Sequence, residues 1–344
     1  MLTPRQNLEE CRKGIENGGR PDHFVNQWEP FQLIFTPVMS HWGKPMPGEL
    51  NKVNCWGVTE SWAEGQPGAF PVHTPDKIVI KDIEDWKEYV KAPTLQFPEE
   101  EWEACMKQAE SVDRNEKWVM PFCAPGIWEM CHYLMEISNA MIALYENPDE
   151  MHELIKYLTE WELELADVTI DHIHPDAMFH HDDWGTQESL MMSVDMWEEF
   201  FYEPYKLIYG HWKERGVKLI MHHSDSYCEP LVPHMIDVGI DIWQGVMTTN
   251  NIPKLIKEYG DKITFFGGID SSSVDYEGST YDVCLAQARR ACEEYGPSHT
   301  MIGASQGLSL STFPGVYDWI SQAVDQASKE YWEKHNLPAG EVTC

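Results

Sequence analysis

From Trp118 onward the chain alternates short apolar runs with amphipathic helical patterns, and that alternation leaves few folds open. The runs WVMPFC, DAMFHH, VKLIMHH, GIDIWQGV, KITFFGGID and HTMIGAS read as buried strands. Helical patterns separate them. One is DEMHELIKYLTEWELELADVTIDHI, with Asn147 and Pro148 at its start and Asp149 and Glu150 in its first turn. Others are VDMWEEFFYEPYKLIYGHWKERG, NIPKLIKEYGD, YDVCLAQARRACEEYG and VYDWISQAVDQASKEYWEKH. Strands alternating with helices pair in parallel through right-handed crossovers. Six such units are legible, and QLIFTPVM and the region Val53–Val58 are expected to supply two more strands. Eight strands close a (β/α)8 barrel, so the expected fold is α/β, a single TIM barrel with an irregular N-terminal extension. A doubly wound sheet competes, but no GxGxxG follows any strand.

The expected organisation is one barrel domain over residues 1–344, loop-rich through 1–115 and regular through 116–335. Pro and Gly punctuate Thr36 to Pro75 heavily, as long loops crossed by short strands would require. The chain carries 57 acidic against 25 basic residues, a formal net charge of −32. Such a balance excludes nucleic acid and anionic membrane surfaces as partners, because both want a clustered basic face. The opening MLTPRQNLEECRKG lacks the apolar core of a signal peptide, and no apolar run approaches ~18 residues, so a soluble, cytoplasmic protein is expected. Nine cysteines, the last at Cys344, include no CxxC pair and form no disulfide framework. Buried free thiols are the expected state.

In a parallel barrel the chemistry sits at the carboxyl ends of the strands. Those ends read Cys123, then His180-His181-Asp182-Asp183 with Gln187, then His222-His223-Ser224-Asp225, Gln244, Asp270 and Ser305-Gln306. A single strand-end His or Asp can simply cap the next helix, as Asp195 is expected to do at the start of its own. HHDD and HHSD converging on one rim point instead to a site. Imidazole and carboxylate together suit zinc or another first-row metal. Side chains alternate with period two, so His223 and Asp225 are expected to face the mouth together. Fifteen Trp form a second signal, several in or beside loops: Trp42, Trp56, Trp62, Trp128, Trp184 and Trp243. Loop tryptophans either pack down on the barrel or line an apolar or cation-binding pocket.

Several of these segments resemble one family. DAMFHHDDWGTQESLMMSVDMWEEFFYEPYKLI, VKLIMHHSDSYCEPLVPHMIDVGIDIWQGV, EYGDKITFFGGID and MIGASQGLS together resemble the uroporphyrinogen decarboxylase-like superfamily over roughly residues 30 to 335. The resemblance implies a (β/α)8 barrel and one of two activities, decarboxylation or cobalamin-dependent methyl transfer. True uroporphyrinogen decarboxylases carry Pro-x-Trp-x-Met-Arg-Gln-Ala-Gly-Arg near the N-terminus, where this chain reads PDHFVNQWEPFQLIF without arginine. A substrate with eight carboxylates needs several guanidinium or ammonium groups. The seven Arg here, at 5, 12, 20, 114, 215, 289 and 290, avoid every predicted strand end.

The methyltransferase branch shows His-x-Cys and a later Cys holding a zinc that activates a thiol. This chain has His223-Ser224-Asp225 and Ser305 in those places. What remains resembles enzymes that pass a methyl group from an O-methyl substrate, in several cases a methoxylated aromatic, to a corrinoid protein. The resemblance then implies zinc held by His223 and Asp225 with Asp183 and His181, the first three also catalytic. Trp184, Gln187, Gln244, Trp243 and His180 are expected to contact the substrate, and cobalamin to ride on a partner protein. The alternatives are a uroporphyrinogen decarboxylase-like decarboxylase acting on a small acid or tetrapyrrole, and a non-catalytic subunit of a corrinoid complex.

Overall fold

The computed structural model describes residues 1–337, so Cys344 lies outside the described residues. Eleven strands form among the described residues, and they include all six predicted runs. The first five are β1 (Val25–Asn26), β2 (Phe31–Ile34), β3 (Lys52–Val53), β4 (Thr59–Ser61) and β5 (Phe70–Pro71). The rest are β6 (Trp118–Cys123), β7 (Ala177–His181), β8 (Leu219–His223), β9 (Ile242–Val246), β10 (Thr264–Ile269) and β11 (Thr300–Ala304). Eight pair in parallel in the order β1-β11-β10-β9-β8-β7-β6-β2. The edge strands β1 and β2 are separated only by residues 27–30, so the sheet curls until its two edges belong to one stretch of chain. This is the TIM-like α/β barrel expected from the alternation, with helices outside.

One strand expectation fails. The region Val53–Val58 does not enter the barrel. Lys52–Val53 pairs antiparallel with β4 and β4 with β5, in a separate three-stranded sheet. The barrel strand in its place is Val25–Asn26, whose two residues are too few to leave a period in the sequence.

Period-two alternation divides the core in two. Trp118, Met120, Phe122, Phe179, Met221 and Phe266 fill the barrel interior, with Phe122 stacked on Phe179 at 5.2 Å. The intervening residues, Val119, Cys123, Met178, Ile220 and Trp243 among them, pack outward against the helices. The amino-terminal end is closed by helix Pro4–Lys13, whose Leu8 and Cys11 join the interior cluster. Thr3 and Gln6 form a capping box at its start, and Arg5 lies over the Trp118 ring at 3.8 Å.

The helix patterns hold with local reasons visible. Pro148 starts Pro148–Ile173 at N1, where a missing N–H costs nothing. The pattern from Val194 to Glu214 contains a π segment, Glu198–Tyr202, just before Pro204, whose missing N–H interrupts the i to i−4 ladder. Ser193 caps this helix and Asp195 sits in its first turn. The charged stretch before Pro93 folds as a 3-10 turn, Ile83–Asp85, followed by a short helix, Trp86–Tyr89.

One buried carboxyl ties the barrel to its helix layer. Asp182, directly after β7, accepts from Trp128 N at 3.1 Å, Glu129 N at 2.7 Å and Trp184 Nε1 at 3.2 Å, and from the Tyr205 hydroxyl. Two of these donors are orphan amides in the first turn of helix Ile127–Met135. Asp182→Ala should strand three buried donors, Trp184 Nε1 keeping the Tyr205 hydroxyl, and cost about 3 kcal/mol of unfolding free energy in urea titration. A loss below about 1 kcal/mol would show that these bonds are not holding the helix.

Candidate metal centre

Strands β7 and β8 run in parallel with His180 opposite His222 and His181 opposite His223. The alternation sends the two pairs to opposite sides of the sheet. His180 and His222 face the helix layer, where the Tyr209 hydroxyl bridges their Nδ1 atoms at 2.9 and 2.8 Å. His181 and His223 face the barrel mouth, stacked with ring centroids 4.2 Å apart.

At the mouth, ligand atoms of His181, Asp183 and His223 lie within 4.8 Å of one another. His181 Nδ1 is held by Glu129 Oε2 at 2.8 Å, and His223 Nδ1 by Gln244 Oε1. The Gln244 amide cannot be turned round without loss, because its Nε2 donates to the Gln306 carbonyl at 3.0 Å. The His223 proton therefore sits on Nδ1 and its Nε2 presents a lone pair; His181 presents Nε2 in the same way when Glu129 is ionised and accepts from Nδ1. His223 Nε2 is 3.8 Å from Asp183 Oδ1, and Asp183 Oδ1 accepts from Asp225 N at 2.9 Å. Burial pushes His181 down to about 4, and burial with the neighbouring His181 pushes His223 down to about 3. Neutral imidazoles and a carboxylate converging without a shared proton form a donor set that a divalent cation satisfies. Two N and one O donor suit zinc or a related first-row ion.

The centre opens into a cavity of about 350 Å³. Phe35, Phe122, Tyr133 and Leu308 contribute apolar wall, and Trp42, Trp62 and Phe70 come from the loops and small sheet before the regular units. Its charged residues are Glu60, Glu129, Asp183, Asp225 and Lys44. Burial pushes the Glu129 and Asp225 carboxyls well up, with Asp183 adding to both.

Of the residues singled out in the sequence, His181, Asp183, His223 and Asp225 come together around this cavity. Asp225 stands beside the three-residue cluster rather than in it. Gln244 is buried and acts on His223, not on the cavity. His180, Trp184 and Trp243 are buried in the packing outside the barrel wall and do not line it. Trp184 lies against the His222 ring at 4.0 Å, and Trp243 Nε1 donates to the Ser224 carbonyl. Gln187 is exposed on a turn away from the lining. Asp270 holds the Thr248 backbone, and Ser305 holds Ser271 N. Cys123 and Cys228 are buried free thiols, the latter pushed up to about 12 by burial.

Sequence reasoning missed Glu129, Glu60, Tyr133, Lys44 and Gly307. Glu129 reads as ordinary first-turn helix acid, and Glu60 sits in a strand of three residues. Gly307 carries a signal only in three dimensions. A Cβ there would lie 2.9 Å from His223 Cε1 and 3.1 Å from His181 Cδ2.

Fold and site together define a parallel α/β barrel enzyme with an N/O donor cluster at the carboxyl end of its strands. Residues 66–326 match the sequence profile of uroporphyrinogen decarboxylase (URO-D), and the chain belongs to that family. No curated protein matches the sequence. Among solved structures it is similar to a methyltransferase from Methanosarcina mazei, 15% identical, covering 96% of this chain and 100% of that one at a TM-score of 0.66. A B12-independent methionine synthase from Shewanella sp. W3-18-1 is 15% identical over 72% of this chain and 71% of its own, at 0.46. No described helix is long and apolar enough to cross a membrane.

Gly307→Ala should push the stacked imidazoles apart and weaken divalent-metal binding by roughly tenfold or more, with the fold retained. Competition with a chromophoric chelator measures the first, circular dichroism the second. Unchanged affinity would mean the rings are free to move.

Proposed function

We propose that this chain is a methyltransferase that moves a methyl group from an O-methyl substrate to a corrinoid protein. The observation that carries the reading is the convergence of His181, Asp183 and His223, without a cysteine, on an aromatic-walled cavity. A zinc ion bound there supplies Lewis acidity toward the ether oxygen. The corrinoid, carried by a partner protein, supplies the nucleophile. The chain's own residues do the rest. Glu129 and Gln244 hold the two imidazoles in the tautomer that presents Nε2. The walls of Phe35, Trp42, Trp62 and Phe70 exclude water and orient an aromatic ring, leaving the methyl carbon toward the mouth. The leaving oxygen needs a proton, and the Asp225 carboxyl, in the same wall and held up by burial beside Asp183, is positioned to give it.

A porphyrinogen decarboxylase reading finds little support, because no arginine lines the cavity and Lys44 is its one basic side chain other than histidine.

Purified protein should carry close to one equivalent of zinc. His223→Ala and Asp183→Ala should lose metal and methyl transfer together, whereas Asp225→Asn should keep the metal and lose at least roughly tenfold in turnover. Cys123→Ser and Cys228→Ser should keep both. Elemental analysis and methyl transfer from methoxylated aromatics to an added cobalamin-loaded partner give the two readouts. Full activity in metal-free protein, or metal loss confined to the cysteine variants, would sink the assignment.

A further inference from the structure

The cavity holds one acidic group that the proposed chemistry does not use. Glu60, on β4 of the small antiparallel sheet, is only 1% exposed yet lines the cavity. Its hydrogen bond is accepted at Oε2 from Asn54 Nδ2 at 2.9 Å. Asn54 is itself fixed, because its Oδ1 accepts from Trp56 N and Val58 N across the turn that leads into β4. The carboxyl is therefore placed by a built turn rather than by chance of rotamer. Lys44, exposed in the same lining, acts on it through charge alone.

A carboxylate has about four acceptor sites; Asn54 fills one and the Trp42 indole approaches a second, which leaves room for a ligand's donor. The wall around it is aromatic, from Trp42, Trp62 and Phe70. Burying an acceptor against such a wall is costly unless a donor meets it. Burial pushes the Glu60 carboxyl upward, against the opposing effect of Asn54 and the Lys44 charge. Glu60 comes from the small sheet and the metal cluster from the barrel strand ends, so a ligand spanning the cavity touches both. Accepting at one end and metal-ligating at the other, the cavity distinguishes the two ends of an aromatic molecule.

Resting on the methyltransferase reading for the identity of the site, we infer that Glu60 sets substrate choice by accepting a hydrogen bond from a hydroxyl or ammonium group on the methoxylated ring. The cavity then selects ring substrates that bear a donor and disfavours those that bear a carboxylate. A carboxylate placed there faces another carboxylate, with Lys44 alone to offset it. A hydroxyl and an ammonium share the donor chemistry and differ in charge, which separates them experimentally.

Binding tests this without turnover. Isothermal titration of the purified chain with a methoxyphenol, a methoxybenzylamine and a methoxybenzoate of one ring pattern compares the three groups directly. Wild type should bind at least one donor-bearing probe roughly tenfold or more tighter than the benzoate. Glu60→Gln, which removes the charge and keeps an acceptor, should abolish a preference for the amine but spare the phenol. Glu60→Leu should remove both preferences, and zinc content should stay unchanged in either variant. Tightest binding of the benzoate, with its loss in Lys44→Met, would overturn the inference, as would equal weakening of all three probes in Glu60→Gln or no donor-probe binding at millimolar concentration. Donor-selective binding without any methyl transfer would count against the proposed reaction and leave the Glu60 assignment standing.

Discussion

Two hydrogen bonds on the far side of a pair of imidazoles decide what this barrel mouth can hold. Gln244 fixes the Nδ1 proton of His223, and Glu129 orients His181, so both Nε2 atoms stand near Asp183. Each of those holders is in turn held. Glu129 rides on the helix whose first amides Asp182 receives, and Gln244 is pinned by the Gln306 carbonyl. The parallel register of β7 and β8 puts His181 opposite His223, and the Tyr209 bridge between His180 and His222 ties the same two strands from behind. Four adjacent histidines thus split into two mouth-facing donors and two structural groups, and backbone alternation makes the division.

Particular residues show what the sequence could and could not display. Long periods were legible: every strand from Trp118 onward and the five helices read from their patterns follow from apolar patterning, whereas helices Ile127–Met135, Ile137–Glu146 and Val232–Asp237 do not stand out. Two-residue strands repeat nothing, which is why Val25–Asn26 was invisible and Val53–Val58 was assigned to the wrong sheet. The rim itself was legible from HHDD and HHSD. Which acid joins the histidines was not, because Asp183 and Asp225 lie beyond the last paired residues, where alternation ends. There the turn decides, and Asp225 N donating to Asp183 sets one carboxyl into the cluster and leaves the other beside it. Trp184, Trp243 and His180 illustrate the converse. Adjacency to a rim motif in sequence put them near the site, yet alternation phase buries His180 and Trp243, and the turn after β7 buries Trp184, outside the barrel wall.

The N-terminal third was the least legible part, yet it contributes four of the six Phe, Tyr and Trp side chains that line the cavity. Its Pro- and Gly-rich loops carry Trp42, Lys44, Glu60, Trp62 and Phe70 to the cavity, although none stands in a periodic segment. The division of labour follows from this. Barrel strand ends supply rigid donors, while the loops and small sheet supply the walls that meet a ligand. Family membership fixes the barrel, and the similarity to the Methanosarcina methyltransferase at 15% identity speaks to fold alone. The chemistry rests on the donor set and the walls.

The central claim is that the mouth is a nitrogen and oxygen metal centre. X-ray absorption at the zinc edge of the purified protein tests it most directly. The account predicts a first shell of light atoms only, at about 2.0–2.1 Å, with the outer-shell scattering of two imidazoles. A sulfur shell at about 2.3 Å would place the metal on cysteine and contradict it.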